Sequence, residues 1–127
     1  RPKGLPDAFN LGKEFNNKEN VALILGDNFF YGQSLTNTFQ KLSKHKAGAT
    51  IFLKEVNKPE NYGVAKIKKK KIISIIEKPK KFLSDKAITG LYFFDQKVCE
   101  YTSKLKPSKR GELEITDLIN EYKKKKK

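Results

Sequence analysis

Apolar positions along this chain follow two rhythms, short unbroken runs and a recurrence every three to four residues. Val21–Leu25 is an unbroken apolar run, of strand length and of the kind buried on both faces of a parallel sheet. From Ser34 to Lys46 the spacing of Leu35, Phe39 and Leu42 predicts one helical face, with Ser34 as N-cap and Gly48 closing the element. "ATIFLKEV" then reads as the next strand. Strand, helix and strand in that order predict a right-handed parallel crossover. Ahead of this unit, Ala8, Leu11 and Phe15 recur at helical spacing within Pro6 to Phe15, a short helix weakened by Gly12.

After "NKPENYG" the pattern changes. "GVAKIK" and "KIISIIEK" are β-rich runs joined by lysines. They predict an antiparallel hairpin, but the turn has no Asn-Gly or Asp-Gly pair to fix its register. "AITGLYFFD" is a further strand, followed by a helix from about Gln96 to Leu105. The loop "KPSKRGE" leads into an amphipathic helix carrying Leu113, Ile115, Leu118, Ile119 and Tyr122. The expectation is one α/β domain over residues 1–122, ending in a disordered lysine tail at 123–127.

Composition narrows the classes. No apolar run approaches the roughly 18 residues of a membrane helix, and no signal-peptide core follows Arg1-Pro2-Lys3. The reading is therefore a cytoplasmic protein with no membrane partner. A single cysteine, Cys99, excludes an intramolecular disulfide and reads as a small buried hydrophobe in a helix. The chain contains no methionine, so residue 1 is not expected to be a native start: either something upstream was removed or this is a piece of a longer protein. The net charge of +14 invites a nucleic-acid reading. Against it, 26 of the 28 basic residues are lysines, gathered in runs such as "KIKKKK" and "KKKKK", where a solvated charge run is the usual outcome. No nucleic-acid partner is expected, and salt dependence of any binding would discriminate. His45 has no cysteine or carboxylate at metal spacing and reads as a surface histidine.

Polar clusters stand at the ends of the predicted strands. Gly26-Asp27-Asn28 follows the first strand, Glu77-Lys78-Pro79 closes "IISII", and Thr89-Gly90 sits among bulky strand neighbours. Tyr62-Gly63 opens a strand, and Arg110-Gly111-Glu112 precedes the last helix. Each has a plainer reading: an Asx turn for Asp27-Asn28, a solvated exit for Glu77-Lys78, close packing for Gly90. Open α/β sheets, however, bind ligands outside the carboxyl ends of their strands. Arg110 is one of only two arginines, and its planar fork binds phosphate in a way lysine does not copy. Such a set suits a sugar phosphate with a nucleoside triphosphate, although composition does not select that over other anionic ligands.

In order, "GLPDAF", "ALILGDNFFYG", "NYGV", "EKP", "TGLYFFD" and "RGELEITDLINEY" resemble the glucose-1-phosphate thymidylyltransferase family of sugar-nucleotide pyrophosphorylases. The resemblance covers nearly the whole chain. It implies a doubly wound, Rossmann-like α/β mixed sheet of the nucleotide-diphospho-sugar transferase type, incomplete here, with an antiparallel sugar-binding insertion. It places Gly4 and Leu5 beside the thymine base, Asp27 on Mg²⁺ at the triphosphate, and Asn28 beside the sugar phosphate. Tyr62, Gly63 and Glu77 would line the hexose, and Thr89 and Gly90 would bring backbone close to it. Lys78 and Arg110 would neutralise glucose 1-phosphate as catalytic residues with Asp27, and Tyr92 is carried over as a substrate-binding residue. "NKPENYGV" departs from the family's acidic-Pro-Glu-Arg lead but keeps the Tyr-Gly pair.

The implied reaction is nucleotidyl transfer from dTTP to glucose 1-phosphate, giving dTDP-glucose for dTDP-rhamnose biosynthesis, and pyrophosphate. The family generally forms homotetramers. Its glycine-rich loop of the form GGxGTR-L has no counterpart here, and its second metal aspartate falls beyond the last helix. The expectation is a central segment with the sugar side nearly intact and little activity alone. The alternatives are a pyrophosphorylase for another sugar nucleotide, or a non-catalytic sugar-phosphate-binding or assembly segment.

Overall fold

The computed structural model describes residues 1–16, 18–44 and 47–125. His45, Lys46 and the end of the lysine tail, to which some of these expectations refer, lie outside the described residues. Five strands run β1 (Val21–Ile24), β2 (Ala49–Glu55), β3 (Gly63–Lys68), β4 (Lys71–Glu77) and β5 (Lys86–Phe94). The helices are α1 (Asp7–Leu11), α2 (Lys13–Asn16), α3 (Leu35–Ser43), α4 (Val98–Ser103) and α5 (Ile115–Lys125). Gly12 divides the first expected helix into α1 and α2, and α5 continues through Lys125 where a disordered tail was expected.

β5 organises the sheet. Tyr92 pairs with Leu23 of β1 and with Ile51 of β2, so these strands flank β5 on opposite sides. Ala87 pairs with Lys54 of β2 and with Val64 of β3, which places β3 on the same side as β1. All of these ladders are antiparallel. β1 and β2 therefore run in the same direction, as a crossover through α3 requires, but β5 lies between them. The expectation the structure corrects is that Val21 to Leu25 is buried on both faces of a parallel sheet, because among the described residues β1 pairs antiparallel with β5 alone. β1 is correspondingly half exposed, with alternate residues turned out and Ile24 at 57% exposure. An unbroken apolar run does not by itself distinguish a buried central strand from an outer one.

Alternation along β5 builds a core on each face. On one face Tyr92 and Phe94 meet Phe9 of α1, Tyr101 of α4 and Ile115, Leu118, Ile119 and Tyr122 of α5. The Phe9 and Phe94 rings meet edge-on at 5.3 Å, and Tyr101 and Tyr122 at 4.7 Å. On the other face Phe93 meets Phe39 of α3 at 5.8 Å, with Phe52 of β2 packed against both. Leu35, Phe39 and Leu42 are the partly buried residues of α3, as their spacing predicts. Helices thus cover both faces of the sheet, the doubly wound arrangement. Ser34 stands at the start of α3 with φ 65° and makes no side-chain cap.

Asp95, buried just past β5, fastens the layers together. Its carboxylate accepts hydrogen bonds from the main-chain N–H of Gly48 at 2.6 Å, from that of Lys97 at 3.0 Å, and from the Tyr122 hydroxyl at 2.9 Å. Those bonds satisfy a charge that would be costly to bury unpaired. Cys99 is half buried rather than fully buried, with its thiol donating to the Phe9 carbonyl at 3.4 Å and accepting from the Asn16 amide at 3.6 Å.

Candidate active site

The carboxyl end of β1 and the amino end of β3 converge on the same stretch of β5. β1 leaves the ladder at Ile24, opposite Leu91, and β3 enters it at Val64, opposite Ala87. Between these points lie Ile88, Thr89 and Gly90. Two strands thus share one edge of β5 with a gap between their ends, next to the carboxyl end of β1, the side on which open α/β sheets take ligands.

The loop after β1 closes onto that gap. The Leu25 N–H donates to the Gly90 carbonyl at 2.8 Å, and the Gly90 N–H donates to Asn28 Oδ1 at 3.0 Å. Asn28 Nδ2 in turn donates to Asp27 Oδ1 at 2.9 Å. The Asn28 amide so fixes the exit of β1 against β5 and orients the Asp27 carboxylate, which is itself exposed. Gly90 is required for this contact, because a Cβ there would lie 2.3 Å from Asn28 Nδ2. The neighbouring Thr89 hydroxyl is buried with no hydrogen-bond partner among the described residues.

On the opposite lip, Gly63 pairs with Glu77 across the β3–β4 ladder, and the Lys78 N–H extends it to the Tyr62 carbonyl at 2.9 Å. A Cβ on Gly63 would stand 3.1 Å from Glu77 Oε2 and 2.9 Å from Thr116 Cγ2. The glycine therefore makes room for the carboxylate and for the start of α5. Tyr62 is half exposed at 46%, and Lys78 turns away from the strand at φ 42°.

The segment before α5 completes the ring. Arg110 Nη2 lies 3.3 Å from Glu112 Oε2, and Arg110 Nη1 lies 3.7 Å from Glu114 Oε1. Burial pushes the Glu77 carboxyl above its ordinary range, and Glu114 adds to the rise. Lys78 and Arg110 pull it back, and Asp117 raises it again. Burial, followed by the Glu77 charge, pushes the Tyr92 hydroxyl up to about 12. Lys78, Tyr92, Arg110 and Glu114 are thus each within electrostatic reach of Glu77. Gly4 joins from the N-terminal side. The Leu113 N–H donates to the Lys3 carbonyl at 2.7 Å, and Gly4, at φ 101°, lies against the Leu113 backbone so closely that no side chain fits. A groove lined by Lys3, Gly4, Leu5, Leu11 and Glu112 opens there.

The structure therefore draws Asn28, Tyr62, Gly63, Glu77, Lys78, Thr89, Gly90, Tyr92 and Arg110 into one region, with Asp27 at its β1 edge and Gly4 and Leu5 at its α5 edge. Thr116, Ser108 and Glu114 belong to it too and were not singled out from the sequence. Thr116 and Glu114 lie within a motif otherwise dominated by core spacing, and Ser108 within a loop whose lysines mask it. A separate groove lined by Glu14, Asn16, Glu19, Lys97, Cys99 and Ser103 holds none of these residues.

This grouping of two glycines with close neighbours, a glutamate and an arginine around a strand fork fits the comparison with known proteins. The Nucleotidyl transferase family pattern matches residues 1–127. The chain belongs to this family. Curated relatives include the glucose-1-phosphate thymidylyltransferases of Neisseria meningitidis, 48% identical over 122 residues, and Xanthomonas campestris, 49% identical over 122 residues. These alignments take in 95% of the chain and 42% and 41% of the respective relatives, so the chain spans about two-fifths of their length. Among solved structures, a provisionally assigned glucose-1-phosphate thymidylyltransferase of Bacillus anthracis, in complex with a sucrose, superposes with a TM-score of 0.86 at 42% identity. That match covers 99% of this chain and 51% of the other. A UDP-glucose pyrophosphorylase complexed with UDP-glucose superposes at 0.80 with 26% identity, covering 98% of this chain and 52% of the other. The sheet with its forked edge is the family's α/β fold.

Proposed function

We propose that this chain supplies the sugar-phosphate side of an enzyme that transfers a nucleotidyl group from dTTP to glucose 1-phosphate. A phosphate oxygen of glucose 1-phosphate attacks the α-phosphorus of dTTP, and the bond to the β-phosphate breaks. The products are dTDP-glucose and pyrophosphate. Phosphate is already a nucleophile, so alignment and charge neutralisation carry the catalysis. The observation that carries this reading is the fork on β5, where the Asn28–Gly90 hydrogen bond and the close Gly63–Glu77 pair flank the gap between the ends of β1 and β3.

In this reading Glu77 accepts from hexose hydroxyls, with Tyr62 and Gly63 beside it, and Thr89 and Gly90 present backbone to the sugar. Asn28 lies at the sugar phosphate, which Lys78 and Arg110 neutralise. Tyr92, within electrostatic reach of Glu77, lies on the substrate-binding side with it, and Gly4 and Leu5 receive the base. Asp27 is suited to hold Mg²⁺, which would offset triphosphate charge. Its carboxylate is exposed at a strand exit and fixed by Asn28. Mg²⁺ keeps several waters and takes one or two protein carboxylates, so a single aspartate can serve it beside the phosphates. A cytoplasmic location, a role in dTDP-rhamnose biosynthesis and a homotetrameric state complete the proposal. No helix among the described residues is long and apolar enough to cross a membrane.

The structural likeness to a UDP-glucose pyrophosphorylase favours one second reading, a pyrophosphorylase for another nucleotide. A pyrophosphate-release assay of the complete enzyme with glucose 1-phosphate separates them. Release with dTTP far above that with UTP, ATP or CTP supports the proposal, and preference for another nucleotide overturns it.

A further inference from the structure

We propose that Ser108 is a positioning residue for the phosphate-binding guanidinium of Arg110, an inference that rests on the role given to Arg110 above. The five residues from Ser108 to Glu112 form a loop closed on itself. The Ser108 N–H donates to the Glu112 carbonyl at 2.8 Å, and the Gly111 N–H donates to the Ser108 carbonyl at 2.9 Å. Gly111 takes φ 77°, which lets the chain turn back with Arg110 near the apex.

The Ser108 side chain then links both ends of the device. Its hydroxyl accepts from the Arg110 main-chain N–H at 3.2 Å and donates to Glu114 Oε1 at 2.8 Å. One donor and two lone pairs allow both bonds at once. Glu114 Oε1 is also the atom 3.7 Å from Arg110 Nη1, and the Glu114 side chain is only 12% exposed. The Arg110 side chain is 48% exposed. An exposed ion pair alone holds a long side chain weakly. Here one partner is nearly buried and its orientation is set by a hydroxyl bonded to the arginine's own backbone. The guanidinium is therefore held by a rigid element before an anion arrives, which lowers the entropy lost on binding. Ser108 itself touches no substrate in this account.

The experiment uses the complete enzyme carrying these residues. Ser108→Val and Ser108→Thr are compared, because they have the same shape and differ in the hydroxyl. Valine should raise the KM for glucose 1-phosphate about fivefold to twentyfold, on the scale of one lost hydrogen bond. The KM for dTTP should move less than about twofold, and threonine should restore both. In an Arg110→Lys background the valine should add less than about twofold, because the fork it positions is gone. A valine enzyme with unchanged glucose 1-phosphate KM, an equal rise for both substrates, or full additivity with Arg110→Lys overturns the proposal. Should either variant fold poorly, Ser108→Ala against the unaltered serine makes the same comparison. If the complete enzyme releases no pyrophosphate with dTTP, the functional reading fails separately. The positioning role is then judged by calorimetric titration with inorganic phosphate. Weaker binding in the valine protein than in the threonine protein supports it, and equal or absent binding overturns it.

Discussion

The polar residues at the fork differ in what holds them, and that decides what their replacement should do. Asp27 is exposed and its carboxylate bonds to Asn28, so Asp27→Asn removes a charge with little effect on folding. In the complete enzyme, turnover should fall by orders of magnitude while the melting temperature is nearly unchanged. Near-normal turnover at ordinary Mg²⁺ would remove the metal role. Glu77 is the opposite case. Burial, then Glu114, raises its carboxyl pKa in the folded protein. The folded state therefore binds this proton more readily than the unfolded chain, and the stability it gives is full below the ordinary carboxylate value and is lost as pH rises through the raised value. Glu77→Gln should remove that loss. The urea midpoint of the variant relative to the parent should rise from pH 4 to pH 7, while the KM for glucose 1-phosphate increases. A stability difference independent of pH would contradict the assignment. At this scale the sequence is informative where a residue breaks its local rule, as Asp27 does after an apolar run and Gly90 does inside a bulky strand. It says little about Ser108, because a serine among lysines in a loop breaks no rule.

Elements are legible where periodicity is strong and least so where pairing depends on the whole fold. The single apolar faces of α3 and α5 and the apolar run of β5 follow directly from spacing. The orientation of β1 does not, because nothing within Val21–Leu25 states that β5, about seventy residues later, inserts between it and β2. The hairpin turn is a second case. Lys69 and Lys70 link β3 to β4 with φ of 48° and 61°, and the ladder closes at Lys68–Lys71. Two positive φ values in a two-residue loop define the turn that Asn-Gly normally supplies. Lysine pays for the left-handed region where asparagine and glycine do not. Like charges at Lys66, Lys68 and Lys71 crowd the same hairpin. Lys69→Asn with Lys70→Gly should therefore stabilise the fold by about 1 kcal/mol, seen as a higher urea midpoint with unchanged slope. A lower midpoint would mean that the lysines make contacts the turn geometry does not explain.

At the scale of the whole molecule, every ladder leads to β5 or to the β3–β4 hairpin, and β1 ends the order β1-β5-β3-β4. Its outer edge has no strand partner among the described residues, and Ile24 there is 57% exposed. An apolar edge with free main-chain donors and acceptors is a template for another strand. Net charge opposes that pairing, since +14 on 127 residues repels a second copy. Salt screens this repulsion over distances of about 10 Å at 0.1 M ionic strength, but does not weaken the apolar contact. The 127-residue chain taken by itself should therefore associate as concentration rises, and more so as salt is added. Ile24→Lys puts a charge on the edge and should lower the association without touching the fork, because the contacts to Gly90 begin at Leu25. Sedimentation velocity across a concentration and salt series checks both effects. A chain that stays monomeric throughout, or an Ile24→Lys chain that associates as strongly as the parent, would show that β1 is not the adhesive edge.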